Sequence, residues 1–248
     1  MPTRDPVVSA GGATAKPDSA NRILIAADTF PPDVNGASYF TRRLAAGLAA
    51  RGHDIHVVCP SSEGPPGIEH DAGVTVHRLR SVPVSEHPPM RAALPMGITG
   101  HGARLVSRLA PQVVHAQSHF TVSRCAIRCG RMAGIPVVLT NHFMPENLFA
   151  HARVPVRLHG FVGALAWRDM IRVARGVDYV TTPTERAASL LAQKGFRGHV
   201  EAVSCGIDLE RFRPRPEGAR PHAAGSTCPS ARPRCSSAAS TTRSASAS

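Results

Sequence analysis

The sequence predicts an α/β domain whose doubly wound, mostly parallel sheet is covered by helices. Three observations carry this expectation. Short apolar runs alternate with longer segments in which apolar residues recur at helical period, the pattern of strands buried on both faces between covering helices. Arg51-Gly52-His53 places a helix-ending glycine between one such segment and the next run, which completes a βαβ unit. The apolar residues are also confined: from Arg215 to Ser248 there is no Leu, Ile, Val, Met, Phe, Tyr or Trp.

The elements follow in chain order. Strands are expected at Arg22–Ala27, Asp54–Cys59, Val74–Leu79, Gln112–Ala116, Pro136–Thr140, Val177–Thr181 and His199–Ser204, each a short run rich in β-branched residues. Between the first two, Ala37, Phe40, Leu44, Leu48 and Ala49 fall on one helical stripe. Further helices are expected near Gly97–Leu109, Phe120–Ala133, Pro155–Arg175 and Thr184–Lys194, the last opened by Thr184 as a cap. The folded unit is therefore about residues 22–214. The Gly/Ala/Pro/Ser-rich residues 1–21 read as a disordered arm. Residues 215–248, with eight serines and eight alanines, read as a disordered tail that buries too little to offset its ordering entropy.

The 248 residues are 42% apolar and only 4% aromatic, enough for a buried core. The formal charge of +12 is spread out: residues 1–21 are neutral, residues 215–248 carry +4, and residues 22–214 hold 22 basic against 14 acidic groups. All basic groups but Lys16 and Lys194 are arginine, which together with the Ala, Gly and Pro content reflects a GC-rich composition. No base-reading motif or aromatic stacking cluster accompanies the charge, so no nucleic acid partner is expected, whereas an acidic phosphate or membrane surface stays open. No apolar run reaches the roughly 18 residues of a membrane span and the first residues lack a signal-peptide pattern, so a cytoplasmic protein is expected. The six cysteines form no CxxC pair; Cys125 and Cys129 face the same way on a helix, and neither a disulfide framework nor a metal site is expected.

In an open parallel sheet, ligands bind beyond the carboxyl ends of the strands. The loop after the first strand reads Asp28-Thr29-Phe30-Pro31-Pro32-Asp33-Val34-Asn35-Gly36. Its Gly36 is either a turn glycine or a point where a helix start approaches an anion, and spacing leaves both readings open. The stretch His115-Ala116-Gln117-Ser118-His119-Phe120 carries two histidines out of a strand, and a satisfied core role fits each one singly. In Thr140-Asn141-His142-Phe143-Met144-Pro145-Glu146, His142 leaves a buried strand and Glu146 follows within reach of the same cleft. Both suit hydrogen bonding to a polyhydroxylated ligand or a developing charge.

Taken in order, FPPDVNGAS, LAARGHDIHVVCP, PQVVHAQSHF, AGIPVVLTNHF, VDYVTTPTERAASLL and VSCGIDLERFRP resemble the amino-terminal half of family 4 retaining glycosyltransferases, which have the two-Rossmann-domain GT-B architecture. The resemblance covers about residues 22–214. It implies a Rossmann-like acceptor-side domain, a hexose moved from a nucleotide-sugar donor to a lipid, glycan or small-molecule acceptor, and no metal or cofactor. It makes Gly36 the loop glycine beside the donor phosphate and His142 the histidine touching the donor sugar, with Asp28, Asn35, His119 and Glu146 as further binding positions. The departure is the tail: Gly206–Pro214 resembles the segment leading into the donor domain, yet residues 215–248 offer no element and no paired glutamates. That implies a truncated or frameshifted, inactive fragment. Arg157, Arg168, Arg172 and Arg175 lie near one face of the expected helix 155–175, with Val162, Ala166, Met170 and Val173 on another. This face is either solvated or a basic docking face for an acidic membrane, as in some relatives.

Two other classes compete. One is a non-catalytic binding module for a phosphorylated or lipid-linked ligand. The other is a nicotinamide-dependent oxidoreductase, which the missing GxGxxG spacing speaks against.

Overall fold

The computed structural model describes residues 19–84, 87–94, 97–145, 155–207, 209 and 212. The arm and tail expected at 1–21 and 215–248 lie outside these residues, apart from 19–21. The first compact unit ends at Cys205. Of the second unit, residues 206, 207, 209 and 212 are described; Gly206 has a φ of 62°, and Ile207, Leu209 and Phe212 are exposed.

The first unit opens with β1 (Arg22–Ala26), α1 (Gly36–Ala50) and β2 (Asp54–Pro60), the predicted βαβ unit. Asn35 caps α1, its side-chain oxygen accepting from Ser38 N at 2.9 Å, and the helix gives way at Gly52, whose φ is 92°. Then come β3 (Gly67–Asp71), β4 (Val74–Leu79), β5 (Ser81–Val84), β6 (His87–Ala93), α2 (Ile98–Leu109), β7 (Val113–Ala116) and α3 (Thr121–Met132). The unit closes with β8 (Val137–Thr140), a 3-10 turn at Val156–Leu158 running into α4 (His159–Ala174), β9 (Tyr179–Thr182), α5 (Glu185–Gln193) and β10 (Val200–Ala202). Thr184 caps α5 as expected, accepting from Ala187 N.

Three strands depart from the expectation. β3 is an exposed, polar edge strand paired antiparallel to β4, and its Ile68 is 57% exposed, so it shows no apolar run. β5 and β6 form a separate two-stranded antiparallel sheet whose prolines and register shift at Pro83/Val84 hide its period. The seven predicted strands are otherwise present, with ends moved by at most two residues.

The main sheet has the order β10-β9-β8-β7-β1-β2-β4-β3 and is parallel except for β3. The chain winds outward from β1 through β2 to β4, then returns to the other side of β1 as β7. The crevice between the carboxyl ends of β1 and β7 is thus the point where winding reverses. Leu24 and Ile25, adjacent on β1, are both buried and face opposite cores. Leu24 joins Val114, Leu139 and Val180 under α2, α3, α4 and α5, while Ile25 joins Ile55, Val57, Val74 and Val76 under α1. Gly130 lets α3 approach the sheet closely, since a Cβ there would stand 3.0 Å from Val114 Cγ2 and 3.1 Å from Val137 Cγ2. A sheet buried on both faces at its centre leaves the carboxyl edge as the place where polar side chains gather.

Candidate active site

Three loops meet at that edge: residues 27–35 after β1, 117–120 after β7 and the segment starting at Asn141 after β8. Gly36 is the first residue of α1, exposed, and no atom stands within 4 Å of where its Cβ would be. No backbone constraint requires glycine there. One turn later Phe40 lies with its ring centre 4.7 Å from that of His142, so the start of α1 and the exit of β8 share one side of the crevice.

His142 donates from Nε2 to Gln117 Oε1 at 3.1 Å, because an amide oxygen can only accept; its Nδ1 lone pair faces Cys205 Sγ at 4.0 Å. Burial pushes its pKa down to about 4, so the ring is neutral near pH 7. Beneath it, His115 Nε2 lies 2.7 Å from Thr140 Oγ1, which lies 2.7 Å from Thr181 Oγ1, a chain running across β7, β8 and β9. Burial, and then His142, bring the His115 pKa to about 4 as well.

The other predicted positions divide by what they touch. Asn35 is committed to capping, accepting from Ser38 N and, at 3.3 Å, from Thr29 Oγ1. Asp28 bridges the crevice: it accepts from Ser118 Oγ at 2.5 Å, Val122 N at 2.7 Å and Ser123 N at 3.2 Å. It thereby caps α3, whose own cap position, Phe120, supplies no side-chain bond. His119 is buried against Phe120 and Phe143, with ring centres 4.4 and 5.8 Å away, and burial lowers its pKa. Glu146 lies outside the described residues.

Of the groups that surround these, the sequence reading singles out His119 and passes over the rest. Among the described residues, the buried side-chain atoms without a hydrogen-bond partner are Ser38 Oγ, Gln117 Nε2, His119 Nδ1 and Asn141 Nδ2. Every one belongs to the first turn of α1 or to the loops after β7 and β8. Leaving a buried donor unpaired costs about 1–3 kcal/mol, so their concentration at one edge makes this edge the candidate site. The available signal was positional: Gln117 and Asn141 are the first residues after two buried strands.

Among the described residues no group of three His, Cys, Asp or Glu stands together as a metal ion would need. Cys59, Cys125, Cys129 and Cys205 are free thiols, and Cys125 and Cys129 do face the same way on α3, their sulfurs 4.0 Å apart. No helix among the described residues is long and apolar enough to cross a membrane.

The sequence profile described as Glycosyltransferase Family 4 matches residues 34–211. A GDP-mannose-dependent alpha-mannosyltransferase of Mycobacterium tuberculosis (strain CDC 1551 / Oshkosh) is 30% identical over 200 residues, covering 78% of this chain and 49% of the relative. A D-inositol 3-phosphate glycosyltransferase of Arthrobacter sp. (strain FB24) is 29% identical over 195 residues, 73% of this chain and 44% of its own length. An alpha-monoglucosyldiacylglycerol synthase of Streptococcus pneumoniae (strain ATCC BAA-255 / R6) is 25% identical, covering 79% of this chain and 42% of the relative. The chain spans about half the length of these curated relatives. With a profile match over most of its residues and an α/β domain whose carboxyl edge gathers the matched loops, the chain belongs to glycosyltransferase family 4.

Proposed function

We propose that this chain is the acceptor-side half of a retaining glycosyltransferase that moves a hexose from a nucleotide-sugar donor to a lipid or glycan acceptor. The observation that carries the reading is the meeting of Gly36, His142 and four unsatisfied buried polar groups at the crevice between β1 and β7, inside the family match. The start of α1 offers backbone N–H groups and a positive dipole end to the donor phosphate, with open space at Gly36. His142, neutral and oriented by Gln117, stands where a donor sugar can be held by a fixed hydrogen bond. Asp28 and His119 shape the pocket from behind, and no metal or cofactor takes part in this reading. The relatives' names supply the substrate classes: GDP-mannose as donor, and on the acceptor side an inositol phosphate or the diacylglycerol from which a monoglucosyldiacylglycerol is made.

The reading extends to a cytoplasmic protein in peripheral contact with an acidic membrane. On α4, exposed Phe161 and Leu165 continue along the helix into exposed Arg168, Arg172 and Arg175. Lys194 joins these arginines along a groove of about 1010 Å³. Apolar side chains beside a basic cluster suit shallow insertion with charge attraction.

The experiment is release of nucleoside diphosphate from a panel of nucleotide sugars by the 248-residue chain and by a version extended with a family donor domain. Turnover by the extended protein and none by the chain alone is the expected result, because alignment of donor and acceptor contributes about 7–11 kcal/mol to such transfers. Turnover by the chain alone overturns the half-enzyme reading. Inactivity of the extended protein with every donor favours a binding module.

A further inference from the structure

Arg78 stands behind the candidate site rather than in it. It occupies the carboxyl end of β4 and is 8% exposed. Nε and Nη2 donate to Glu69 Oε2 on β3 at 3.1 and 3.0 Å, and Nη1 to Pro60 O at the end of β2 at 3.3 Å. Nη2 also donates to Pro31 O, at 2.7 Å, in the loop that leads into α1. The guanidinium carbon lies 5.6 Å from the centre of the Phe30 ring in the same loop. A buried guanidinium with charge-assisted bonds to three separate segments is a rigid joint, because its planar fork cannot serve one acceptor differently without disturbing the others.

Apart from Phe30, which is buried in the core under α1, the loop it grips is held mostly by bonds of its own. Phe30 N donates to Asp33 Oδ2, Asp33 N to Phe30 O, and Thr29 Oγ1 to Asn35 Oδ1, bonds that close the loop on itself. Among the described residues, the Arg78–Pro31 bond is the hydrogen bond that joins residues 29–34 to the sheet. Val34, Asn35 and Gly36 follow with exposed surfaces. The path of the chain into the packed first turns of α1 therefore depends on where Pro31 and the buried Phe30 are held.

We propose that Arg78 is the positioning residue of the α1 amino terminus. By fixing Phe30 and Pro31 from β4 it aims the N–H groups of Gly36 and Ala37 at the crevice without touching what binds there, Ser38 N being taken by the Asn35 cap. Its meaning for ligand binding rests on the phosphate reading of Gly36; the clamp itself does not. Preorganised donors bind an anion without the cost of ordering a loop at that moment.

Hydrogen exchange on the 248-residue chain tests the clamp. In Arg78→Met, the amides of Phe30, Asp33, Ser38 and Tyr39 should exchange about tenfold faster or more, while those of Val114 and Asn141, bonded across β7, β8 and β9, keep their wild-type rates. Arg78→Lys, which keeps one charged donor, should fall between the two. Unchanged loop rates in Arg78→Met overturn the proposal, and so does equal acceleration at Val114 and Asn141, which would make Arg78 a general core residue. Inorganic pyrophosphate separates the clamp from the site reading. It should slow exchange at Gly36 and Ala37 in the wild type and need at least about tenfold more pyrophosphate to do so in Arg78→Met. If the wild type shows no such slowing while the loop rates respond to Arg78→Met, the phosphate reading of Gly36 fails and the clamp stands.

Discussion

His142 and Gln117 are joined across neighbouring loops, imidazole Nε2–H to amide oxygen at 3.1 Å, so the histidine carries its lone pair on Nδ1, which faces Cys205 Sγ at 4.0 Å. The bond also leaves Gln117 Nε2 buried without a partner. A pair arranged in this way fixes the ring's tautomer and plane before any ligand arrives. Long-range proton–nitrogen NMR of the imidazole should show the Nε2–H form at pH 7 and titration near pH 4. In Gln117→Leu the single tautomer should give way to a mixture. A wild-type midpoint near the ordinary 6.5, or an Nδ1–H form, would contradict the geometry.

Asp28 should prove structural first. Its carboxylate accepts from two backbone amides at the start of α3 and from Ser118 Oγ, and charged hydrogen bonds contribute about 1.5–3 kcal/mol where a cap alone contributes ~1. Asp28→Ala should therefore lower unfolding free energy by about 2 kcal/mol or more in urea denaturation. A change within about 0.5 kcal/mol, the range of ordinary surface substitutions, would return Asp28 to the ligand side of the crevice.

Much of this was legible in the residues, and the reason it was legible is physical. Central parallel strands such as Val113–Ala116 and Val137–Thr140 must be apolar on both faces, so they announce themselves. Edge strand β3 has neither face buried and reads as loop. The site divides similarly: strand ends single out the loops that carry Gly36 and His142, while the choice of these two residues comes from the family resemblance. Whether Asp28 binds a ligand or caps a helix depends on Val122 and Ser123, more than ninety residues away in sequence, and no local pattern encodes that. The partnerless amides of Gln117 and Asn141 likewise become visible only when the neighbouring loops are in place.

Acid should destabilise this domain well above the carboxylate range. His77, His115 and His142 each have a folded pKa near 4, lowered chiefly by burial from 6.5. Between those values the unfolded chain binds more protons than the folded one, so stability is full above about pH 6.5 and falls as pH drops toward 4. The slope is up to ~1.4 kcal/mol per pH unit for each histidine. Thermal unfolding from pH 7 to pH 4 measures it. His77→Gln, remote from the crevice, should reduce the slope by up to about a third, since His56 and His119, also lowered by burial, add to it; a flat profile down to pH 5 would mean that these rings are solvated.

Membrane contact through α4 makes a charge-specific prediction. The chain should sediment with vesicles containing phosphatidylglycerol and not with phosphatidylcholine alone, and added salt should release it. Each basic group near the surface contributes about 1 kcal/mol, so Arg168→Glu with Arg172→Glu should lower binding by at least about a hundredfold while leaving the melting temperature near wild type, both side chains being exposed. Equal binding to neutral vesicles, or an unaffected double variant, would leave this face merely solvated.

Gly36 separates the two readings that its spacing left open. A glycine needed by the backbone has a positive φ or a neighbour that a Cβ would strike, and Gly36 has neither. At the first position of a 15-residue helix, alanine should fit and match or slightly raise stability, since glycine costs roughly 0.5–1 kcal/mol within helices. On the anion reading, a Cβ there would nonetheless stand in the open space by which a phosphate approaches the α1 amides. In a version extended with a donor domain, Gly36→Ala should therefore leave the melting temperature unchanged or higher and raise the donor KM by tenfold or more, and Gly36→Val should deepen the loss of donor binding. The two measurements must diverge for the anion reading to hold. A variant that binds donor normally would make Gly36 a turn residue after all, and one that melts early would show a backbone constraint that the geometry around α1 does not contain.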